Sequence, residues 1–133
     1  ILDYEIQMDE KIYGYIIPKL TLQPLVENAL YHGIKNKRGK GKILITGKKQ
    51  GDKIIFQVID NGKGMTEEEL NSLRKKMAGT DTGDEAKGFG VSNVNQRIKY
   101  YYGEEYGVFF ESKENEGTNA TIIIAAKNIQ LPS

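Results

Sequence analysis

The sequence predicts an α+β fold, a two-layer sandwich in which a mixed sheet of about five strands carries about three helices on one face. Two observations support this class. Several stretches have the apolar pattern of strands, and most of them follow one another across short turns, which favours hairpins. Three other stretches have apolar residues at helical spacing. Because 133 residues suit one core, we expect a single domain over residues 1–133.

Five stretches have the pattern of strands. Alternating or continuous apolar residues predict strands at 2–9, 43–49, 53–60, 108–112 and 118–126. Gln50-Gly51-Asp52 separates the second and third strands and suits a tight hairpin, and Asn115-Glu116-Gly117 is typical of a turn before the last strand.

Helical spacing appears in three other stretches. Pro18 opens the first, which predicts a helix ending near Gly33, with Pro24 tolerable only in an early turn. An apolar stripe is expected along it, formed by Leu22, Leu25, Val26, Ala29 and Leu30. Thr66 begins the second helix, since Thr66-Glu67-Glu68-Glu69 has the form of a capping box. The third is expected over residues 91–102 and ends at Gly103. Its inward residues should be Val91, Val94, Ile98 and either Tyr101 or Tyr102.

Composition excludes several classes of function. The 19 basic and 18 acidic residues nearly cancel, so no overall charge attracts nucleic acid or a membrane surface. The absence of cysteine excludes disulfides and thiolate metal sites, and the single histidine makes histidine-rich metal sites improbable. No signal-peptide pattern is present. Because the sequence starts at Ile1 rather than methionine, we expect a domain taken from a longer chain.

The stretch most suggestive of a binding site is Asp60-Asn61-Gly62-Lys63-Gly64-Met65, at the end of an apolar strand. It delivers one carboxylate to a turn whose glycines permit positive φ and close approach of a ligand. Ligand sites of α/β folds lie at such strand ends. Taken alone, the same residues are also typical of an ordinary tight turn.

Three further stretches accompany this one in a fixed order. The four are residues 27–32 (ENALYH), 60–64 (DNGKG), 88–93 (GFGVSN) and 117–121 (GTNAT). Together they resemble the GHKL ATPases, a superfamily of histidine kinases, gyrase-type topoisomerases, heat-shock chaperones and mismatch-repair ATPases. The sequences of residues 17–29 and 88–97 resemble those of the catalytic domain of YesM/LytS-type sensor histidine kinases. The resemblance covers about residues 4–125 and implies a Bergerat-type ATP-binding fold.

The resemblance also implies roles for individual residues, with ATP and Mg²⁺ as cofactors. Asp60 would hold the adenine amine, a role that suits a buried carboxylate, and Thr118 would assist through water. Glu27 would be the general base or polarising group, and Asn28 would coordinate Mg²⁺, for which an amide oxygen is a suitable ligand. A lid over about residues 65–87 would close on glycine hinges. The complete expected set of nucleotide-binding residues is Asn28, His32, Asp60, Gly62, Gly64, Met65, Gly88, Phe89, Gly90, Val91 and Thr118.

The chain departs from the family pattern at Tyr31, where many histidine kinases carry a phosphate-binding lysine. His32, Lys35, Lys37 or Arg38 could supply that charge instead, and the sequence leaves the choice open. We reject His32 as the phosphoacceptor because it falls within a stretch that the family uses for nucleotide binding. The acceptor histidine is expected on a separate dimerisation domain.

The resemblance implies a cytoplasmic domain of a membrane-anchored bacterial sensor kinase. Its partners would be ATP, the parent's dimerisation domain and then a response regulator, without nucleic acid or direct membrane contact. Two alternatives share the fold. One is a serine kinase of the anti-sigma-factor type, which the sequence of residues 17–29 disfavours. The other is an interaction module that has lost ATP, which the intact glycines and Asp60 disfavour.

Overall fold

A computed structural model describes residues 2–8, 23–30, 41–78 and 89–126. These residues form five strands and three helices. In chain order they are β1 (Leu2–Met8), α1 (Gln23–Asn28), β2 (Gly41–Gln50), β3 (Lys53–Asp60), α2 (Glu67–Met77), α3 (Phe89–Tyr102), β4 (Gly107–Lys113) and β5 (Gly117–Ala125).

The strands form one mixed sheet in the order β1-β2-β3-β5-β4. β1 pairs with β2 in parallel, and the remaining neighbours are antiparallel. β5 therefore lies between β3 and β4, which places the start of β5 beside the end of β3. The predicted α+β class with a mixed five-stranded sheet is confirmed.

The β2–β3 hairpin follows from local sequence alone. Its register pairs Gln50 with Lys53 and Ile43 with Asp60. Gly51 in the turn has φ +61°, a conformation that glycine adopts without steric cost. β3 has the predicted bounds, and the hairpin turn falls where the sequence placed it.

The core lies between one face of the sheet and the helices. Alternate residues of β3 are buried, from Ile54 through Phe56 and Val58 to Asp60, as expected for a strand with one covered face. Helix residues complete the same cluster, namely Leu25, Ala29, Leu70, Met77, Val91, Val94 and Ile98. This arrangement is the predicted two-layer sandwich.

Helix α2 begins with the predicted capping box. The hydroxyl of Thr66 accepts a hydrogen bond from the N–H of Glu69 at 3.2 Å, and the Glu69 carboxylate accepts one from the N–H of Thr66 at 2.9 Å. That second bond holds the pKa of Glu69 below its ordinary value. Both bonds satisfy N–H groups that a helix start otherwise leaves unpaired.

The other two helices differ in detail from their predictions. α1 is described from Gln23, and Leu25 and Ala29 of the predicted apolar stripe are buried. The predicted start at Pro18, and Leu22 and Gly33, lie outside the described residues. α3 starts two residues before the predicted Val91, and Tyr102 rather than Tyr101 is turned inward, since Tyr101 is 62% exposed.

A buried polar residue in α3, Asn95, was not predicted. Its amide nitrogen donates to the carbonyl of Met77 at 3.2 Å, and its oxygen accepts the N–H of Val108 at 2.8 Å. The side chain therefore joins α3 both to the end of α2 and to the start of β4. Sequence patterning missed it because a 3.6-residue period marks apolar positions and carries no information about a polar residue with two distant partners.

Candidate nucleotide-binding site

Asp60 is the last residue of β3, and its side chain is buried on the helix-covered face of the sheet. Its carboxylate accepts the N–H of Gly62 at 2.8 Å and also the N–H of Thr118. Burial raises the pKa of Asp60 above its ordinary value, and the two backbone N–H groups oppose that rise. The side chain is thus a desolvated hydrogen-bond acceptor held in place by two main-chain donors.

Thr118 lies directly opposite Asp60 in the pairing of β3 with β5, so the two side chains share a face. Both border a cavity of about 470 Å³, together with Leu70 and Arg74 of α2 and Ser112 of β4. That volume is within the range of small-molecule sites, roughly 300–1,000 Å³. The structure therefore brings the two predicted base-binding residues together at one cavity.

The loop after Asp60 is tied to β2. The side-chain oxygen of Asn61 accepts the N–H of Lys42 at 2.8 Å, and the N–H of Asn61 donates to the Lys42 carbonyl at 3.2 Å. Asn61 thus extends the β2–β3 ladder by one residue. This fixes the point at which the chain turns away from the sheet.

The same loop is also packed against the β4–β5 hairpin. Gly64 has φ +67°, and a Cβ there would overlap the carbonyl of Lys113. Next to it, the Lys63 carbonyl accepts the N–H of Asn115 at 2.6 Å, and the N–H of Met65 donates to the Ser112 hydroxyl at 2.8 Å. The positive φ expected of the loop glycines is therefore found at Gly64 and not at Gly62, and the group that lies against Gly64 is the backbone of the β4–β5 hairpin.

Two residues of this site were not among the predicted binding residues. Gly117 has φ +111°, and a Cβ on it would overlap the Asp60 carbonyl, so β5 can approach β3 this closely only with glycine. Ser112 contacts the Asp60–Met65 loop and Thr118 from β4. Gly117 stood at the head of the fourth stretch, whereas Ser112 had no local signal because Met65 is 47 positions away.

The remaining predicted site residues lie on helices α1 and α3 or outside the description. Glu27 is exposed on α1, and Asn28 is the last residue of that helix. Phe89 and Gly90 are the first two residues of α3. Val91 is only 2% exposed and belongs to the core, so its backbone alone is left to contact a ligand. His32 and Gly88 lie outside the described residues, as do Tyr31, Lys35, Lys37 and Arg38.

The predicted lid range contains helix α2. Leu70 and Met77 of this helix are buried in the core, and the Arg74 guanidinium donates to the Phe110 carbonyl of β4 at 2.8 Å. This first half of the range is therefore packed on the sandwich. Residues 79–87, the remainder of the predicted lid after Ala78, lie outside the described residues.

The fold and site together define a class. A buried aspartate at the end of β3 borders a cavity of small-molecule size, beside a glycine-containing loop that is hydrogen-bonded to the β4–β5 hairpin. The chain belongs to the histidine kinase-, DNA gyrase B- and HSP90-like ATPase family, whose model matches residues 18–128. The family is one of ATPases, and ATP is accordingly the nucleotide.

Similar proteins point to one branch of this family. The chain is 37% identical over 124 residues to YwpD of Bacillus subtilis (strain 168), covering 92% of this chain and 41% of that protein. It is 34% identical over 127 residues to the sensor histidine kinase YesM of the same organism, covering 96% and 20% respectively. It is 32% identical over 126 residues to the sensor protein LytS of Bacillus anthracis, covering 93% and 21%.

The chain thus spans between a fifth and two fifths of the length of these relatives. The resemblance to YesM/LytS-type kinases inferred from residues 17–29 and 88–97 is confirmed. The sequence is that of their catalytic ATPase part.

Solved structures agree on the fold. The catalytic domain of the histidine kinase ThkA superposes with a TM-score of 0.66 at 20% identity, covering 94% of this chain and 79% of that one. The histidine kinase domain of the blue-light activated kinase of Erythrobacter litoralis gives a TM-score of 0.63 at 16% identity, covering 92% and 54%. Among the helices that the structure describes, none is long and apolar enough to cross a membrane.

Proposed function

We propose that this domain binds Mg-ATP within a sensor histidine kinase and donates the γ-phosphoryl group to a histidine on the parent's separate dimerisation domain. The phosphoryl group would then pass to a response regulator. The parent is a membrane-anchored bacterial kinase, and this domain works on its cytoplasmic side. The sensor histidine kinase YesM and sensor protein LytS support this reading, since each resembles the chain over more than nine tenths of its length.

The observation that carries the proposal is the Asp60 carboxylate. It is 6% exposed, it borders the cavity, and its two backbone donors orient it without neutralising it. A buried acceptor of this kind favours a ligand that offers an N–H group and disfavours one that offers a lone pair. The exocyclic amine of adenine is such a donor, and Thr118 lies next to Asp60 to assist it through water.

Residues of helices α3 and α1 would bind the phosphates and the metal ion. The first residues of α3, Phe89 and Gly90, follow Gly88 in the sequence and present main-chain N–H groups that no helical carbonyl accepts. Asn28 would hold Mg²⁺ together with phosphate oxygens and water. Glu27, exposed on the same helix, would polarise the acceptor histidine or take its proton.

In such a transfer the protein acts mainly by position and electrostatics, because phosphoryl transfer needs little covalent help from side chains. Mg²⁺ held at Asn28 would supply neutralisation of the charge that develops on the phosphates. The domain's own contribution is to hold the adenine at Asp60 and to aim the triphosphate at the incoming histidine. Exclusion of water by the lid would favour transfer over hydrolysis.

Calorimetric titration tests the binding half of the proposal. ATP and ADP are titrated with and without Mg²⁺ into wild type, Asp60→Asn and Asp52→Asn, an exposed aspartate in the β2–β3 turn. We expect adenine nucleotides to bind, GTP to compete poorly, and only Asp60→Asn to lose affinity, by about a hundredfold for a hydrogen bond to a charged group. Equal affinity of the two variants would refute the role of Asp60.

Radiolabelled ATP tests the transfer half with the full-length parent. We expect acid-labile, base-stable label on the parent, which is the chemistry of phosphohistidine. Acid-stable label on a protein substrate would instead identify a serine kinase. ATP binding by this domain without any labelling of the full-length parent would contradict the proposed transfer and leave the binding result standing.

A further inference from the structure

The hydroxyl of Ser112 lies at a junction of three hydrogen bonds. It accepts the N–H of Met65 at 2.8 Å, donates to the carbonyl of Gly117 at 2.9 Å, and lies 2.8 Å from the hydroxyl of Thr118. Ser112 pairs directly with Thr118 across β4 and β5, so this geometry follows from the sheet register. The side chain is partly buried and borders the same cavity as Asp60.

Counting protons at this junction fixes the direction of the third bond. A serine hydroxyl carries one proton and two lone pairs. Its proton goes to the Gly117 carbonyl, which has no proton to give, while the Met65 N–H can only donate. The bond between the two hydroxyls therefore runs from Thr118 to Ser112. Because the Thr118 proton is used in this bond, the Thr118 oxygen can only accept a hydrogen bond from any other partner.

The neighbouring Asp60 carboxylate is also an acceptor. We propose that Ser112 is a positioning residue that holds the Thr118 hydroxyl as an acceptor, so that Asp60 and Thr118 together require hydrogen-bond donors, either an N–H of the base or an O–H of its bound water. A 6-amino purine satisfies this edge, whereas a 6-oxo purine presents a carbonyl oxygen to it. The inference rests on the proposed function, in which Asp60 and Thr118 bind adenine.

The test compares ATP with ITP, which carries a carbonyl oxygen where ATP carries the amine. Dissociation constants of both are measured by calorimetry for wild type, Ser112→Ala and Ser112→Thr. Removing the Ser112 hydroxyl frees the Thr118 proton to turn toward the base and donate to a carbonyl. We expect the ratio Kd(ITP)/Kd(ATP) to fall by about tenfold in Ser112→Ala, the worth of one hydrogen bond. Ser112→Thr keeps the hydroxyl and should keep the ratio.

The ratio separates this role from a purely structural one. A loosened Asp60–Met65 loop or a smaller folded fraction would weaken ATP and ITP together and leave the ratio unchanged. Thr121→Ala is the matched control, because it removes a hydroxyl from β5, the strand of Thr118, but on the other face of the sheet, opposite Phe109. Its ratio should equal that of wild type.

Two results would overturn the inference. One is an unchanged ratio in Ser112→Ala, and the other is an equal fall in Ser112→Thr and Ser112→Ala. Failure of the proposed function looks different, because wild type would then bind no ATP or Asp60→Asn would bind it as well as wild type. The two failures are therefore distinguishable in one set of titrations.

Discussion

Replacing Gly64 by alanine tests how tightly the site loop is held against the β4–β5 hairpin. Gly51 offers a matched control, because its φ of +61° is close to the +67° of Gly64. The surroundings differ. A Cβ on Gly51 would meet nothing within 4 Å, whereas a Cβ on Gly64 would overlap the carbonyl of Lys113. The two variants thus share a backbone conformation and differ in the space around it.

The expected magnitudes follow from this difference. A left-handed alanine costs roughly 1–2 kcal/mol at either position. At Gly64 the overlap must also push the loop away from the hairpin, which breaks the bonds from Asn115 to Lys63 and from Met65 to Ser112. At about 1 kcal/mol for each hydrogen bond, Gly64→Ala should cost at least about 2 kcal/mol more than Gly51→Ala. That is a large share of a typical free energy of unfolding, about 5–15 kcal/mol.

Equilibrium unfolding in urea, followed by circular dichroism, measures both values. The difference between the variants cancels the backbone term and the effect of alanine on the unfolded chain, which is the same at both sites. Equal losses for Gly51→Ala and Gly64→Ala would show that the loop moves freely relative to the hairpin. The inference that the Asp60–Met65 loop and the β4–β5 hairpin are held together as one rigid unit would then be wrong.

Three further outcomes are expected from urea unfolding. Asn95→Leu leaves main-chain groups of α2 and β4 without partners and should cost about 2–4 kcal/mol, whereas the exposed Asn93→Leu should cost little. Thr66→Ala removes the cap of α2 and should cost about 1 kcal/mol, which Thr66→Ser should restore. Because the pKa of Asp60 is raised in the folded protein, its ionisation should lower stability as pH rises from its ordinary value of 3.8 to the raised value. Asp60→Asn should lack that decline, and a variant with the same pH dependence as wild type would contradict it.

Local chemistry explains why much of the fold was predictable. The capping box at Thr66 needs only four consecutive residues, and the hairpin at Gly51 needs a residue that accepts positive φ between two strand patterns. Strand β3 has its predicted bounds because a run of mostly apolar residues lies between a tight turn and the polar stretch that begins at Asp60. Boundaries shifted where the local pattern was weak, as at Phe89, which begins α3 two residues early.

Resemblance and structure informed different parts of the site. The four stretches predict Asp60, Gly64 and Thr118 as binding residues, and the structure places Asp60 and Thr118 at one cavity and Gly64 in the loop beside it. The roles assigned to Glu27 and Asn28 are still predictions. The resemblance did not point to Ser112, whose partners lie in β5 or in the loop after β3.

The sequence by itself determined the elements, their amphipathic faces and the turn chemistry, because each depends on residues a few positions apart. Tertiary structure decided which elements became neighbours. Only the insertion of β5 between β3 and β4 brings Thr118 beside Asp60 and sets Ser112 beside Thr118. The same strand order explains why Gly117 must lack a side chain. Such contacts depend on sheet register over tens of residues, and no local propensity encodes them.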